Sequence, residues 1–286
     1  MNVITKPAPG ALPDARTELG GTRGTSVRAA LRRWDGRGLG LLAVIAFIAA
    51  WQWYGGRYPH AQYLFSTPSA VARAFRSVVA SGQLPRAFFE SLGETAIGFS
   101  IAVAIALTVG TAMGRVRYIQ FALDPLVTLA IATPTIGLLP LMENWFGLGY
   151  AGRVSFIVVV ATWPTLINTW IGVRSMSGVY DDVGRSLGLG RIDQLRKVVL
   201  PAAAPFIFTG LRLSLAGAIL GMVLGGQEVG DAGLGGLTEI YSHEGVVSSL
   251  IAAILSATAL AFLLFWMVWA AQRKFFPWIR DLASHS

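Results

Sequence analysis

The amino-acid sequence predicts an all-α integral membrane protein with about six transmembrane helices, and three observations carry that prediction. Several runs of residues are almost free of charge and reach the ~20 residues that cross ~30 Å of hydrocarbon. Only 13% of the 286 residues are charged and 54% are hydrophobic, whereas a soluble globular chain carries roughly twice that charge. The 23 Lys and Arg outnumber the 15 Asp and Glu, for a net charge of +8. That excess gathers beside the ends of alternate apolar runs, the pattern that holds loops on the cytoplasmic side of a membrane.

Residues 1–37 are rich in Pro, Gly, Ala, Thr and Arg without an apolar period, and read as a disordered basic cytoplasmic tail. No apolar core follows a short basic start, so this is not a secretory signal. Arg28, Arg32, Arg33 and Arg37 precede the first span, about 39–54, which closes on Trp51, Trp53 and Tyr54 as an interfacial aromatic belt. Residues 55–89 are expected outside the membrane. There Ser66-Thr67-Pro68 opens a short helix with Val71, Phe75, Val78 and Val79 on one face. Arg57, Arg73, Arg76 and Arg86 in this stretch run against the positive-inside pattern.

The second span, about 91–114, contains Gly98, Gly110 and Gly114, which allow close helix approach, and Arg115 and Arg117 mark an inside loop. Pro125, Pro134 and Pro140 predict a kinked or partly broken third span over about 123–146. The fourth, about 154–173, carries Trp163-Pro164 and Asn168-Thr169 and ends at Arg174. The fifth covers about 206–224, residues 227–245 form an outside loop without Lys or Arg, and the sixth covers about 246–271. Arg273, Lys274 and Arg280 place the tail 276–286 in the cytoplasm with the N-terminus.

Between the fourth and fifth spans lies 181–205, DDVGRSLGLGRIDQLRKVVLPAAAP. Val183, Leu187, Ile192, Leu195 and Val199 recur at roughly helical spacing, with Asp181, Arg185, Asp193, Arg196 and Lys197 elsewhere. One or two short amphipathic helices, broken at Gly188 and Gly190, satisfy that pattern. Asp181 with Arg185, and Asp193 with Lys197, are acid-before-base pairs each worth ~0.2–0.5 kcal/mol on an exposed helix. Leu200-Pro201 and Pro205 are expected to stop this helix and restart the chain. On composition alone the segment is an amphipathic linker.

The same residues carry a second reading. Asp182-Val183-Gly184, then Gly188, then Leu200-Pro201 about a dozen residues further on resemble the EAA loop of bacterial ABC-importer membrane subunits. The first triad departs from Glu-Ala-Ala, while Arg185-Ser186-Leu187-Gly188 and Val198-Val199-Leu200-Pro201-Ala202-Ala203 match closely. Further segments resemble the branch of these permeases that handles nitrate, sulfonates and taurine. They are Ser91-Leu92 with Gly98-Phe99, Leu123-Asp124-Pro125, Leu139-Pro140-Leu141 with Trp145-Phe146-Gly147, Asn168-Thr169 with Gly172-Val173, Gly210-Leu211-Arg212, and Gly233-Leu234-Gly235.

The resemblance implies a type I ABC importer transmembrane domain over 38–275, in a bacterial inner membrane and surrounded by lipid. It implies a coupling loop at about 180–201, in which Asp182, Gly184, Arg185, Leu187, Gly188, Leu200 and Pro201 meet a separate ATPase. ATP and Mg then belong to that partner, and this chain carries no cofactor. A second copy of the chain and an extracytoplasmic solute-binding protein complete the expected assembly.

The candidate substrate pathway comprises Glu94, Glu143, Asn144, Trp163, Asn168 and Gln227. Intramembrane amides and aromatics offer hydrogen bonds and stacking to a passing solute. They equally serve interhelical packing. Glu94, Ile131 and Glu143 stand where the branch is expected to have basic, basic and apolar residues, and Gln227 lies where it usually has Ala-Glu. An ionisable residue within a span is costly and is a functional candidate by default, so the changes point to a cationic, zwitterionic or neutral solute. The alternative is that Glu94 and Glu143 are solvated or paired with Arg57, Arg86 or Arg153. A family-like sulfonate, taurine or nitrate substrate then stands.

Other classes fit less well. The chain has no cysteine, and His60, His243 and His285 form no pair at metal-ligand spacing, so neither a hydrolase nor a zinc site is supported. No Gly-x-x-x-x-Gly-Lys-[Ser/Thr] occurs to cradle ATP phosphates. An ion-coupled secondary transporter using Glu94 and Glu143 is the runner-up. Nucleic-acid binding is disfavoured because the basic residues sit at span ends, as topology requires.

Overall fold

The computed structural model describes residues 36–58, 65–176, 178–229 and 233–276, all helical apart from short connections. Nearly all of both predicted tails lies outside the described residues. Helix α1 (Gly36–Arg57) forms over the first apolar run. Its residues up to Trp51 belong to one compact unit and those from Gln52 onward to a second. In the first unit the rings of Phe47 and Trp51 stack at a tilt, centroids 6.4 Å apart. In the second, Gln52 exchanges two hydrogen bonds with Ser69, at 3.2 and 3.1 Å.

Helix α2 (Pro68–Ala80) starts where the Ser-Thr-Pro signal puts it. The Thr67 hydroxyl accepts from the Ala70 N–H at 3.3 Å and Pro68 occupies the first turn. Val71 and Val78 are buried while Phe75 and Val79 are exposed, so half of the predicted face packs. Helix α3 (Gln83–Arg115) begins eight residues before the predicted second span. Helix α4 (Arg117–Ala132) keeps Pro125 inside it. A 3₁₀ turn (Thr135–Leu138) then leads into α5 (Leu139–Phe146). The chain bends by 99° between α4 and this second half, around Pro134, as the prolines predict.

Helix α6 (Tyr150–Met176) is followed by α7 (Val179–Ser186), α8 (Arg191–Gln194) and a π-helical turn (Leu195–Val199). Helix α9 (Leu200–Val229) continues directly from that turn, so 191–228 is one long helix. This corrects the expected stop at Leu200-Pro201. Pro201 and Pro205 cannot donate to the ladder, but the wider π turn precedes the first, and a helix wound this way absorbs the irregularity without ending. The expected outer loop 227–245 is also corrected, because it contains α10 (Gly233–His243), with Leu234, Thr238 and Tyr241 buried. Its glycines hid a helix whose packing outweighs its propensity. Helix α11 (Val247–Phe275) ends the described chain.

Among the described residues four helical stretches are long and apolar enough to cross a membrane, or five if the bent pair is one span. The expected first span coincides with α1, which at 22 residues falls outside that set.

Helix α6 is the centre of the second unit, packed along α3 and α9. A Cβ on Gly98 would lie 2.6 Å from Ile157 Cγ2, one on Gly110 2.7 Å from the Leu166 carbonyl oxygen, and one on Gly114 2.7 Å from Val173 Cβ. The partners advance together, so α3 and α6 run parallel, and their backbones touch where α3 lacks side chains. On the other flank Gly210, Gly217, Gly221 and Gly225 meet Asn168, Val160, Ile157 and Arg153 in reverse order, so α9 is antiparallel. Between them the Ser214 hydroxyl accepts from the Thr165 N–H at 2.9 Å and from its hydroxyl at 2.7 Å. Ile157, Ala161, Leu215, Ala218 and Met222 fill the core, which Leu234 and Ala253 extend to α10 and α11.

Candidate functional site

This arrangement gives the second unit two chemically different ends. One gathers the starts of α3 and α6 with the finish of α9; the other gathers the finishes of α3 and α6 with the segment 178–201.

At the first end Arg153, 3% exposed, lies between α3 and α9. Its Nε donates to Glu94 Oε1 at 2.8 Å and its Nη2 donates both to that oxygen and to Glu90 Oε1, the latter at 2.9 Å. Glu94 is 1% exposed. The pairing with Arg153 is one of the alternatives the sequence leaves open, and it offsets the cost of placing a carboxylate inside the bundle. Glu90 Oε2 also accepts from the Gly233 N–H at 3.3 Å, and the Ser91 hydroxyl accepts from the Leu234 N–H at 2.9 Å. The first turn of α10 is therefore tied to α3 by Glu90, which sequence reading did not single out, and by Ser91, which entered it only through the Ser91-Leu92 resemblance.

Glu143, near the end of α5, is 6% exposed, with Oε1 lacking a hydrogen-bond partner. It is pressed against Gly152, where a Cβ would lie 3.3 Å from Glu143 Cα. Asn144 beside it is exposed. Trp163 is half-buried in a cluster with Ala106, Met113, Val127 and Leu166. Asn168 donates to the Pro164 carbonyl of its own helix at 2.8 Å, and Gln227 donates to the Thr238 hydroxyl at 3.2 Å. Glu94 and Glu143 thus lie at the first end, Trp163 and Asn168 lie further along α6, and the six candidates do not converge on one enclosed site.

The second end is built around a helical turn that reverses at Gly188. Its φ of +69° is left-handed, the Leu189 N–H donates to the Gly184 carbonyl at 3.0 Å, and the Gly188 N–H donates to that of Arg185 at 3.0 Å. This is the Schellman closure of α7, which favours glycine for want of a Cβ clash. Gly184 permits α7 to lie on buried Gln194, since a Cβ would fall 2.6 Å from Gln194 Cγ. The predicted apolar stripe then divides. Val199 is buried with Val173 and Ala203, and Leu195 and Leu200 pack beside them. Val183, Leu187 and Ile192 are 46%, 66% and 68% exposed.

Asp182 and Arg185 are both exposed and 3.8 Å apart, and Asp193 and Lys197 meet at 3.4 Å, pairs of little energetic weight in water. Pro201 is half-buried at the start of α9. Among the described residues no group of His, Cys, Asp and Glu is arranged to hold a metal.

A bundle of membrane-length helices that packs its own core yet leaves Val183, Leu187 and Ile192 exposed at one end defines a multi-pass membrane protein. Residues 96–277, more than half of the chain, match the family described as binding-protein-dependent transport system inner membrane component, and the chain belongs to that family. The bicarbonate transport system permease protein CmpB of Synechococcus elongatus is 30% identical over 257 residues, 87% of this chain and 92% of CmpB. The taurine transport system permease protein TauC of Escherichia coli (strain K12) is 31% identical over 188 residues, 66% of this chain and 68% of TauC. A chain of the MetNI methionine ABC transporter, solved in inward-facing conformations, shares the fold. It has a TM-score of 0.53 and 19% identity, over 68% of this chain and 94% of that one.

Proposed function

We propose that this chain forms the translocation path of an ATP-driven importer and receives the force of ATP binding through residues 180–201. The observation that carries the reading is the outward stripe of Val183, Leu187 and Ile192 on a turn fixed by Gly184 and Gly188. Exposed apolar residues on a rigid, charged turn suit a protein cleft better than water. The partner is an ATPase subunit that binds ATP and Mg, because this sequence has no phosphate-cradling loop. ATP binding closes the partner, draws 180–201 with it, and switches the path from inward-facing to outward-facing; hydrolysis resets it. Two ATPase subunits call for two docking turns, hence a homodimer in the lipid bilayer, with both termini cytoplasmic and a solute-binding protein on the opposite face.

The solute is a small anion or zwitterion of the kind named for the relatives, bicarbonate or taurine. Burial of Glu94 against Arg153 supports this reading, since that carboxylate is neutralised within the bundle rather than facing a passing solute. The same pairing counts against an ion-coupled mechanism through Glu94.

The test is ATPase activity of the complex in nanodiscs with its binding protein, across sulfonates, nitrate, bicarbonate and amines. Leu187→Asp should abolish stimulation while membrane insertion and folding persist. Stimulation by taurine or an alkyl sulfonate that survives Glu143→Gln supports the anionic class. Retained coupling in Leu187→Asp would remove the docking role, and stimulation by amines alone would reverse the charge assignment.

A further inference from the structure

At the same end as the docking turn a cavity of about 1090 Å³ opens between the α3–α4 turn, the finish of α6, and α7–α8. Five arginines line it: Arg115 and Arg117 from the α3–α4 turn, Arg174 from α6, Arg185 from α7 and Arg191 from α8. No aspartate or glutamate is in the lining. Arg117 also stacks over Phe121 at 5.4 Å, and Arg185 leans 3.8 Å toward Asp182 outside the cavity. The positive fields of Arg117, Arg174, Arg185 and Arg191, drawn from four separate elements, add across the cavity, and an anion placed there meets all four. Guanidinium forks match the oxygens of phosphate in paired hydrogen bonds. The cavity lies at the end of the bundle where α3 and α6, both long and apolar enough to cross a membrane, finish.

We infer that this basic cavity is a phosphate-binding site, taking either the headgroup of an anionic phospholipid or a soluble phosphate. Arg185 and Arg191 belong to the docking segment and Arg115 and Arg117 to the α3–α4 turn, so an occupant links the two. The inference rests on the lining alone and does not depend on which solute is transported.

The test titrates the full chain in neutral detergent with short-chain phosphatidylglycerol, short-chain phosphatidylcholine, inorganic phosphate and ethanesulfonate. Binding is read from the thermal-unfolding shift and from mass spectrometry of the intact chain. The cavity variant is Arg115→Gln with Arg174→Gln and Arg191→Gln. The control is Arg196→Gln with Lys197→Gln, basic residues of the same segment outside the lining. Phosphatidylglycerol should bind, phosphatidylcholine should not, and the cavity variant should weaken binding roughly tenfold or more. The control should stay within about twofold. Inorganic phosphate binding with the same dependence assigns a soluble ligand, and lipid binding alone assigns the headgroup; both support the site. Equal loss in both variants, equal binding of phosphatidylcholine, or binding of ethanesulfonate alone would overturn it. Should the triple variant fail to fold, Arg174→Gln alone should still produce a partial loss that the control lacks.

Discussion

At one end of the α3–α6 pair Arg153 is answered inside the chain by Glu90 and Glu94, and the first turn of α10 is fastened to Glu90 and Ser91. At the other end Val183, Leu187 and Ile192 stand in the open on a turn whose backbone is tightly specified. The first end uses polar groups for internal order, whereas the second keeps its shape without using Val183, Leu187 or Ile192. If the exposed turn is the docking surface proposed above, mutations at the two ends should separate stability from coupling.

The largest effect on stability should come from Arg153→Met. It strands Glu94 in the bundle and should cost about 3–5 kcal/mol in denaturant unfolding in detergent. Combining it with Glu94→Leu should recover most of that loss, since the stranded charge is removed as well. Gly110→Val comes next. The branched side chain must displace the Leu166 carbonyl and Thr169, and overpacking of this kind costs ~1–3 kcal/mol by the same unfolding measurement. Gly188→Ala should cost only about 1 kcal/mol, from placing a Cβ at a left-handed φ. Its effect on partner-stimulated ATPase activity should nevertheless exceed that of the more destabilising Gly110→Val. Lys197→Gln should be nearly silent, within about 0.5 kcal/mol, because its partner Asp193 is an exposed neighbour on the same helix.

The helices were legible wherever apolar length or a start signal dictated them. The Thr67-Pro68 cap, the break at Pro134 and the break after α7 at Gly188 all follow from local chemistry that sequence displays. Helix α10 was not legible, because Gly233, Gly235 and Gly236 have poor helix propensity, and no local pattern encodes the contacts of Gly233 with α3 and of Gly235 with α9. The continuity of 191–228 was hidden for a similar reason. Prolines signal a stop, and only the π turn at Leu195–Val199 reveals how the helix passes them.

For the site, the turn at Gly188 could be read from spacing because a turn is a local object. Glu94 was singled out as an ionisable residue within a span, and it is buried, but its partner is 59 residues away, and nothing in the sequence ranks Arg153 above Arg57 or Arg86. The split of the apolar stripe was equally invisible. Periodicity groups Val183, Leu187, Ile192, Leu195 and Val199, and only the packing of Val199 on Val173 reveals which of them the chain keeps for itself.

The absence of cysteine makes one position measurable at a time. Leu187→Cys in the full chain should react readily with a water-soluble maleimide when the chain is alone. In complex with its ATPase the same thiol should become strongly protected, while Glu244→Cys, beyond the end of α10, keeps its rate. That result would place Leu187 in the partner's cleft. Equal labelling of Leu187→Cys with and without the ATPase would contradict the claim that 180–201 is the docking segment.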